Sequence, residues 1–499
     1  MRYAAVNRIC RVRKLFNKGG SMANRVWKKG RIVLAGMCGL VALTLLAVVG
    51  CGTDGYDTPS SAAVTTKTPT ALIQADTLKQ WIDSGLVNKA GGYDRVVILD
   101  SSSNEADGSN KYNTVGHIPG AQLVLGSDAF MDDTRAEGPL SVNGDMVATG
   151  AAMDALVQKA GIDENTTIVL TTGTTSTINM TRAYATFRYW GFPKNRIKIL
   201  QGGNAGWTAA GNALSINVPT VQKSTYAVAP NGTTTVNTEM RVSLGEMIGY
   251  VKGIIAGNAD KVVILDTIRP GTVSSTTDLL VTTVNNFTPF DGAVKGSYRF
   301  PYANLVAPAG TLNFKDADTI KADISAAVAG DGTTAIGDAN RDAAKTFIVF
   351  CRAGNAASVA YFALDGIAYY DSNVDIKWYD GSLGQWNLMA SSDHTAVNSV
   401  GATVNAGGKL AVGSIWDTTS LMDNLTWNVS RTVAVPVVPA TTPPTTVTVQ
   451  RAIVPYGSRV FGIEPSFAEG NQIEAADKAY RSAVTGTSGG GAPTGGGGC

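Results

Sequence analysis

The residue of this chain best placed to do chemistry is Cys351. It follows the apolar run Phe347-Ile348-Val349-Phe350 and opens the loop Arg352-Ala353-Gly354-Asn355-Ala356-Ala357-Ser358. A strand that delivers a thiol into a short glycine-containing loop, with a helix predicted next over residues 359–364, can make a thiolate. Successive loop amides and the positive end of the helix stabilise negative charge on sulfur. The expectation is a thiol pKa below its ordinary value and a nucleophile present at neutral pH. A buried structural cysteine at a strand end is the competing reading.

The elements that must position this thiol occur twice. Arg95-Val96-Val97-Ile98-Leu99-Asp100-Ser101 is echoed by Lys261-Val262-Val263-Ile264-Leu265-Asp266-Thr267. Each is a continuous apolar run ending in Asp, the pattern of a parallel strand buried on both faces. A helix-like stretch precedes each, over residues 77–83 and 244–255, and a second apolar strand follows, over residues 167–170 and 346–350. Each half closes on a glycine turn and a tryptophan, Gly202-Gly203-Asn204-Ala205-Gly206-Trp207 and Gly381-Ser382-Leu383-Gly384-Gln385-Trp386. Strands alternating with helices over two such halves predict an α/β protein with two domains, each a mainly parallel sheet flanked by helices. The boundaries read 72–217 and 239–390, with the polar, Pro219- and Pro230-containing segment 218–238 as linker and 391–499 as a C-terminal extension.

The N-terminus sets the compartment. Ten Lys or Arg and no acid fall within residues 1–50, and the apolar stretch 32–49 follows Lys28, Lys29 and Arg31. It ends Val48-Val49-Gly50-Cys51, which resembles the lipobox of bacterial lipoproteins. That resemblance implies a signal peptide over 1–50, lipidation of Cys51 and a flexible Thr/Ser/Pro-rich tether over 51–71. It also implies a lipid-anchored protein of the bacterial cell envelope, with Gly52 leaning toward the outer membrane. A membrane-spanning anchor is the alternative, and Met22 is a candidate start. Processing would leave 31 basic and 39 acidic residues, a net charge of −8, and no basic patch suggests nucleic-acid binding. Cys10 and Cys38 would be discarded and Cys51 acylated, leaving Cys351 and Cys499 and no disulfide framework.

Four motifs carry a family resemblance. In the first half these are Gly116-His117-Ile118-Pro119-Gly120-Ala121, the stretch 182–191, and Ile199-Leu200-Gln201-Gly202-Gly203 with Trp207. In the second half it is the Cys351-Arg352-Ala353-Gly354 loop, with Gly296-Ser297-Tyr298-Arg299-Phe300-Pro301 resembling a degraded Gly-Ala-x-Asn-x-Pro element. Together they resemble tandem-domain rhodaneses, a sulfurtransferase family, over about residues 72–390. The resemblance implies that Cys351 attacks the outer sulfur of a small anionic donor such as thiosulfate. It would hold that sulfur as a persulfide and pass it to a thiol acceptor. The amides of Arg352, Ala353, Gly354, Asn355 and Ala356 would cradle the sulfur, and Gly354 would allow the tight turn. Arg352 is the nearest fixed positive charge for the donor, unless it points to solvent. Arg269 and Lys295 are further candidate anion contacts, with surface solvation as their alternative. Thr172 occupies the cysteine's position in the first half, 35 residues before Trp207 as Cys351 is before Trp386. Without a base a threonine cannot serve as the leaving group of sulfur transfer, so the first domain reads as catalytically silent.

Departures from the family weaken the assignment of a donor. Ala356 stands where Thr or Arg is common, Asn355 is unusual, and Ala357 excludes the arginine that related phosphatase loops need to bind an oxyanion. Only two histidines occur, His117 in the family-like turn and His394 alone, so no metal site and no cofactor are expected. Asp100 and Asp266 read as caps of strand-end turns. The extension, with Trp416, Trp427, Tyr456 and Phe461 and a Thr/Val/Pro-rich stretch 433–449, ends in a glycine tether carrying Cys499. That thiol could swing to resolve Cys351, or be an inert terminus. Two function classes follow: an envelope sulfurtransferase, or a rhodanese-like accessory or redox protein that handles thiophilic oxyanions such as selenite or tellurite without turnover as a sulfurtransferase; an envelope redox protein is a candidate partner.

Overall fold

The computed structural model of the chain describes residues 64–485, apart from 103–110, 126–127, 144, 229–235, 259–260, 269–290, 331, 390–394, 398–402, 406–413, 427–430, 436–444 and 450–470. Cys51, Arg269, His394, Trp427, Tyr456, Phe461 and Cys499 lie outside the described residues, as do the stretch 32–49 and the glycine tether. Among the described residues no helix is long and apolar enough to cross a membrane.

Two five-stranded sheets are built on one plan. The first contains β1 (Leu72–Ile73), β2 (Arg95–Asp100), β3 (Gln122–Leu123), β4 (Thr166–Thr171) and β5 (Ile197–Leu200) in the order β1-β5-β4-β2-β3, every pair parallel. The second contains β6 (Val262–Asp266), β7 (Ser297–Arg299), β8 (Val328–Ala329), β9 (Thr346–Phe350) and β10 (Asp375–Trp378) in the order β8-β7-β6-β9-β10. Only the β7–β8 pair in it is antiparallel. Beside β10, a parallel bridge from Arg241 to Trp378 takes the place that β1 holds in the first sheet. The central strands read as they do because both faces are covered: all six residues of β2 and all six of β4 are buried.

The flanking helices follow from local chemistry. In α1 (Ala75–Asp83), Ala75, Leu78 and Trp81 recur at helical spacing and are the buried positions. The next helices are α2 (Gly150–Lys159), α3 (Ile178–Tyr189) and α4 (Gly203–Ala209). Then comes α5 (Leu244–Ile255), which begins on a complete capping box between Ser243 and Glu246. In the second half α6 is Asn355–Phe362 and α7 is Ser382–Leu388. The sequence places the helix after Cys351 at 359–364. It begins instead at Asn355, directly after the left-handed Gly354, and continues as a π-helix over Ala363–Ala368.

The two halves meet through α3 and α6, each the helix that follows its half's loop. The Thr181 and Ser358 hydroxyls lie 2.9 Å apart, and Tyr184 packs edge-on against Phe362 at 4.9 Å. Asp365 accepts hydrogen bonds from the Tyr184 hydroxyl and from Arg188 Nε. One apolar core runs through both halves, from Leu170 and Ala183 to Val349, Ala357 and Leu364.

The segment 218–238, read as a linker, is strapped to the first half where it is described. Ser224 N donates to the Gln158 carbonyl, Val228 N donates to Asp154, and Tyr226 and Val228 are buried. The extension also packs on the domains. Met422–Thr426 pairs antiparallel with Asp291–Val294, and Trp416 is fully buried in the second core. Its last described element, α8 (Gln472–Thr485), lies against the first half: Tyr480 donates to Asp154, and the Trp190 and Tyr480 rings meet at 6.3 Å.

Candidate active site

Strand β9 ends at Phe350, and the chain turns at once around the Cys351 sulfur. The loop is held from inside by one hydroxyl. Ser382 Oγ accepts from Cys351 N at 3.1 Å and from Gly354 N at 3.0 Å, donates to the Tyr379 carbonyl at 2.8 Å, and stands 4.0 Å from Sγ. Two amides of the turn after Ser382 reach back to the loop, Leu383 N to the Cys351 carbonyl and Gly384 N to the Arg352 carbonyl. Trp378 Nε1 donates to the Gly354 carbonyl at 3.0 Å. Ser382 itself has φ +50, a conformation costly for a residue with a side chain, and its counterpart in the first half is Gly203 at φ +56.

Gly354 closes the loop at φ +76. A methyl group there would lie 2.4 Å from the Asp380 carbonyl oxygen and 3.0 Å from Arg182 Nη1. Gly354→Ala is expected to strain the loop by about 1–2 kcal/mol from the backbone angle alone, with the contact to Asp380 adding to it. Persulfide loading of Cys351 should fall sharply while circular dichroism stays that of a folded protein; unaltered loading would mean that the loop tolerates another path.

The sulfur is enclosed. Cys351 is 2% exposed, the amides of Ala357, Ala353 and Arg352 hydrogen-bond to it, and the Ser382 hydroxyl stands near it at 4.0 Å. Burial pushes the thiol above its ordinary value of 9.0, and these hydrogen bonds pull the other way without reversing it. This corrects the expectation of a depressed pKa. The cradle of amides is present, but it is closed to water, and desolvation of the thiolate outweighs it. The cradle also differs in membership, since Ala357 contributes from the first turn of α6.

Arg182 is the residue that the sequence does not nominate. It projects from α3, in the other half, and is fully buried with its guanidinium 4.4 Å over the Trp378 ring. Nη2 donates to the Asp145 carbonyl at 2.6 Å, and Nε and Nη1 have no partner among the described residues. Burial lowers its pKa to about 10, opposed by the charges of Asp380, Asp145 and Cys351. A buried cation with two open donors beside a buried thiol is a place for an anion. Asp145 reaches the same point from the turn between Leu140–Asn143 and Met146–Val147, and its Oδ2 accepts from Asn355 Nδ2 at 3.0 Å.

The other nominated residues fall as follows. Arg352, Ala353, Gly354, Asn355 and Ala356 form the loop and the start of α6. Lys295 lies in the turn before β7, where its Nζ donates to the Ser420 carbonyl of the extension. His117 is structural: its ring stacks on Tyr112 at 3.6 Å and bridges the Tyr112 and Asn217 carbonyls. Asp100 and Asp266 accept from the turn residues Ser102 and Ile268. Thr172 is fully buried, and its hydroxyl lies 3.0 Å from that of Thr174.

Residues 74–210 match the family model of the rhodanese-like domain. Over these residues the chain is similar to that domain, and the match falls on the half that holds Thr172. The half that holds Cys351 repeats the order of four of its five strands. Among curated proteins the chain is similar to the sulfur carrier protein TtuD of Thermus thermophilus, 24% identical over 290 residues, covering 56% of this chain and 84% of that one. It is also similar to the thiosulfate sulfurtransferase of Corynebacterium glutamicum, 23% identical over 279 residues, covering 55% and 78%. Among solved structures, the Tum1 protein of Saccharomyces cerevisiae aligns at 18% identity over 64% of this chain and 95% of that one, with a TM-score of 0.45.

Proposed function

We propose that the protein is a sulfurtransferase that moves sulfane sulfur through a persulfide on Cys351. The Cys351 thiolate attacks the outer sulfur of a donor such as thiosulfate. The new Cys–S–S bond forms as the donor's S–S bond breaks, and sulfite leaves with the electron pair. A thiol acceptor, as thiolate, then attacks the outer sulfur and releases the Cys351 thiolate. The observation that carries this reading is the Cys351 thiol, ringed by the amides of Arg352, Ala353 and Ala357, beside the buried Arg182 guanidinium, two of whose nitrogens have no partner among the described residues. The names of the two curated relatives support the same class of chemistry.

Arg182 would hold the donor's anionic end. With Arg182→Met, kcat/KM for thiosulfate is expected to fall by roughly 10²-fold or more, the usual consequence of losing one preorganised charge-stabilising donor. Steady-state assays with cyanide as acceptor measure this, and an unchanged kcat/KM would remove Arg182 from the site. We extend the reading to the N-terminus: residues 1–50 as a lipoprotein signal and Cys51 as the anchor to the cell envelope. Intact-mass analysis of membrane-extracted protein tests that extension; an unprocessed N-terminus would overturn it.

A further inference from the structure

We propose that Asp145 selects the donor, disfavouring dianionic thiosulfate relative to sulfane-sulfur donors that carry one negative charge, such as persulfides and thiosulfonates. The inference rests on the sulfurtransferase reading and concerns what the site accepts.

Asp145 occupies two of the donors that an anion would need. Its carbonyl oxygen takes Arg182 Nη2 at 2.6 Å and its carboxylate takes Asn355 Nδ2 at 3.0 Å. The groups it engages come from both halves, Arg182 from α3 and Asn355 from the first position of α6. Asp145 has φ +59 in its turn, and its amide donates to Asp133 Oδ1 at 2.8 Å, which fixes where the carboxylate stands. Asn355 Oδ1 is left buried with no partner among the described residues, which fixes the amide with its nitrogen toward the carboxylate.

Charge then decides what can enter. The guanidinium of Arg182 is flanked by the carboxylates of Asp145 and Asp380, with Arg241 behind them and Arg352 on the loop itself. A donor held by Arg182 brings a second charge toward the half-buried Asp145 carboxylate, and beside the buried Arg182 and Cys351 like charges repel more than in bulk water. A donor with one charge fewer is penalised less. Asn355 is where the sequence departs from the family, and the structure gives that departure a partner in Asp145.

The test compares thiosulfate, a dianion, with benzenethiosulfonate, a monoanion with the same transferable sulfur. In Asp145→Asn, which keeps the shape and tolerates the backbone angle, kcat/KM for thiosulfate should rise at least about tenfold more than for benzenethiosulfonate. Asp145→Gly, which also relieves the backbone, should behave alike. Equal changes for the two donors, or a larger gain for benzenethiosulfonate, would overturn the proposal. A second readout needs no turnover. In a Cys351→Ser background, calorimetric titration with thiosulfate should show tighter binding once Asp145 is Asn, and unchanged binding would overturn the assignment. If neither donor loads Cys351 in the unsubstituted protein, the sulfurtransferase reading falls, while the titration still decides whether Asp145 repels an anion.

Discussion

Replacing Arg241 with methionine is expected to destabilise the protein by about 3–5 kcal/mol, the usual cost of stripping a buried ion cluster of its counter-charge. Arg241 is fully buried. Its Nη1 donates to Glu137 and to Glu474, each at 2.7 Å, and its Nη2 pairs with Asp380 at 2.8 Å. Glu137 belongs to the hairpin strand Arg135–Glu137, Asp380 to the turn that carries Ser382, and Glu474 to α8 of the extension. One guanidinium thus ties the extension to the wall of the active site. Arg135 adds a second tie, donating to Asp477 at 2.6 Å and to the Val147 carbonyl. A denaturant midpoint unchanged in Arg241→Met would show that the cluster does not hold these parts together.

The same cluster makes stability depend on pH. Burial, only partly offset by Arg241, raises the Glu474 pKa from 4.5 to about 8, so the folded protein keeps a proton there that the unfolded chain has released. The contribution is complete below pH 4.5 and is lost as pH rises toward 8 and through it. Glu474→Gln retains an oxygen for Arg241 and should flatten the fall in stability across this window. A slope identical to that of the unsubstituted protein would contradict the assignment.

The sequence displays whatever depends on neighbours along the chain. The runs around Val97 and Ile264 read as buried parallel strands because both faces demand apolar residues, and they form the centres of the two sheets. Gly354 reads as a turn because only a tight loop follows Cys351 there, and it adopts φ +76. What depends on packing between the halves is not visible. Arg182 reaches the thiol only because α3 lies against α6; it opens the stretch 182–191 that carries part of the family resemblance, but nothing in that stretch places its guanidinium at the thiol. Ser382 can be suspected only by setting the closing turns side by side, where serine stands against Gly203. The direction of the Cys351 pKa was misread for the same reason: loop amides can be seen in a sequence, and the depth at which they are buried cannot. The role of α8 depends on Glu474 and Asp477 meeting arginines that are distant in sequence, and charge alone does not give that pairing.

Cys351→Ser is expected to abolish sulfur transfer down to background, because a serine hydroxyl neither ionises in this pocket nor leaves as thiolate does. Alkylation should report on the same group. Burial raises the thiol pKa, so the reaction of Cys351 with iodoacetamide should accelerate as pH rises above neutrality. The most direct test is to incubate the full chain with a sulfane-sulfur donor, thiosulfate and benzenethiosulfonate in parallel, remove the excess, and map the mass of the peptide carrying Cys351. A gain of about 32 Da, one sulfur atom, that cyanide or a thiol discharges and that Cys351→Ser never acquires is the expected result. A peptide unmodified by either donor, or a gain of mass that persists in Cys351→Ser, would contradict the account.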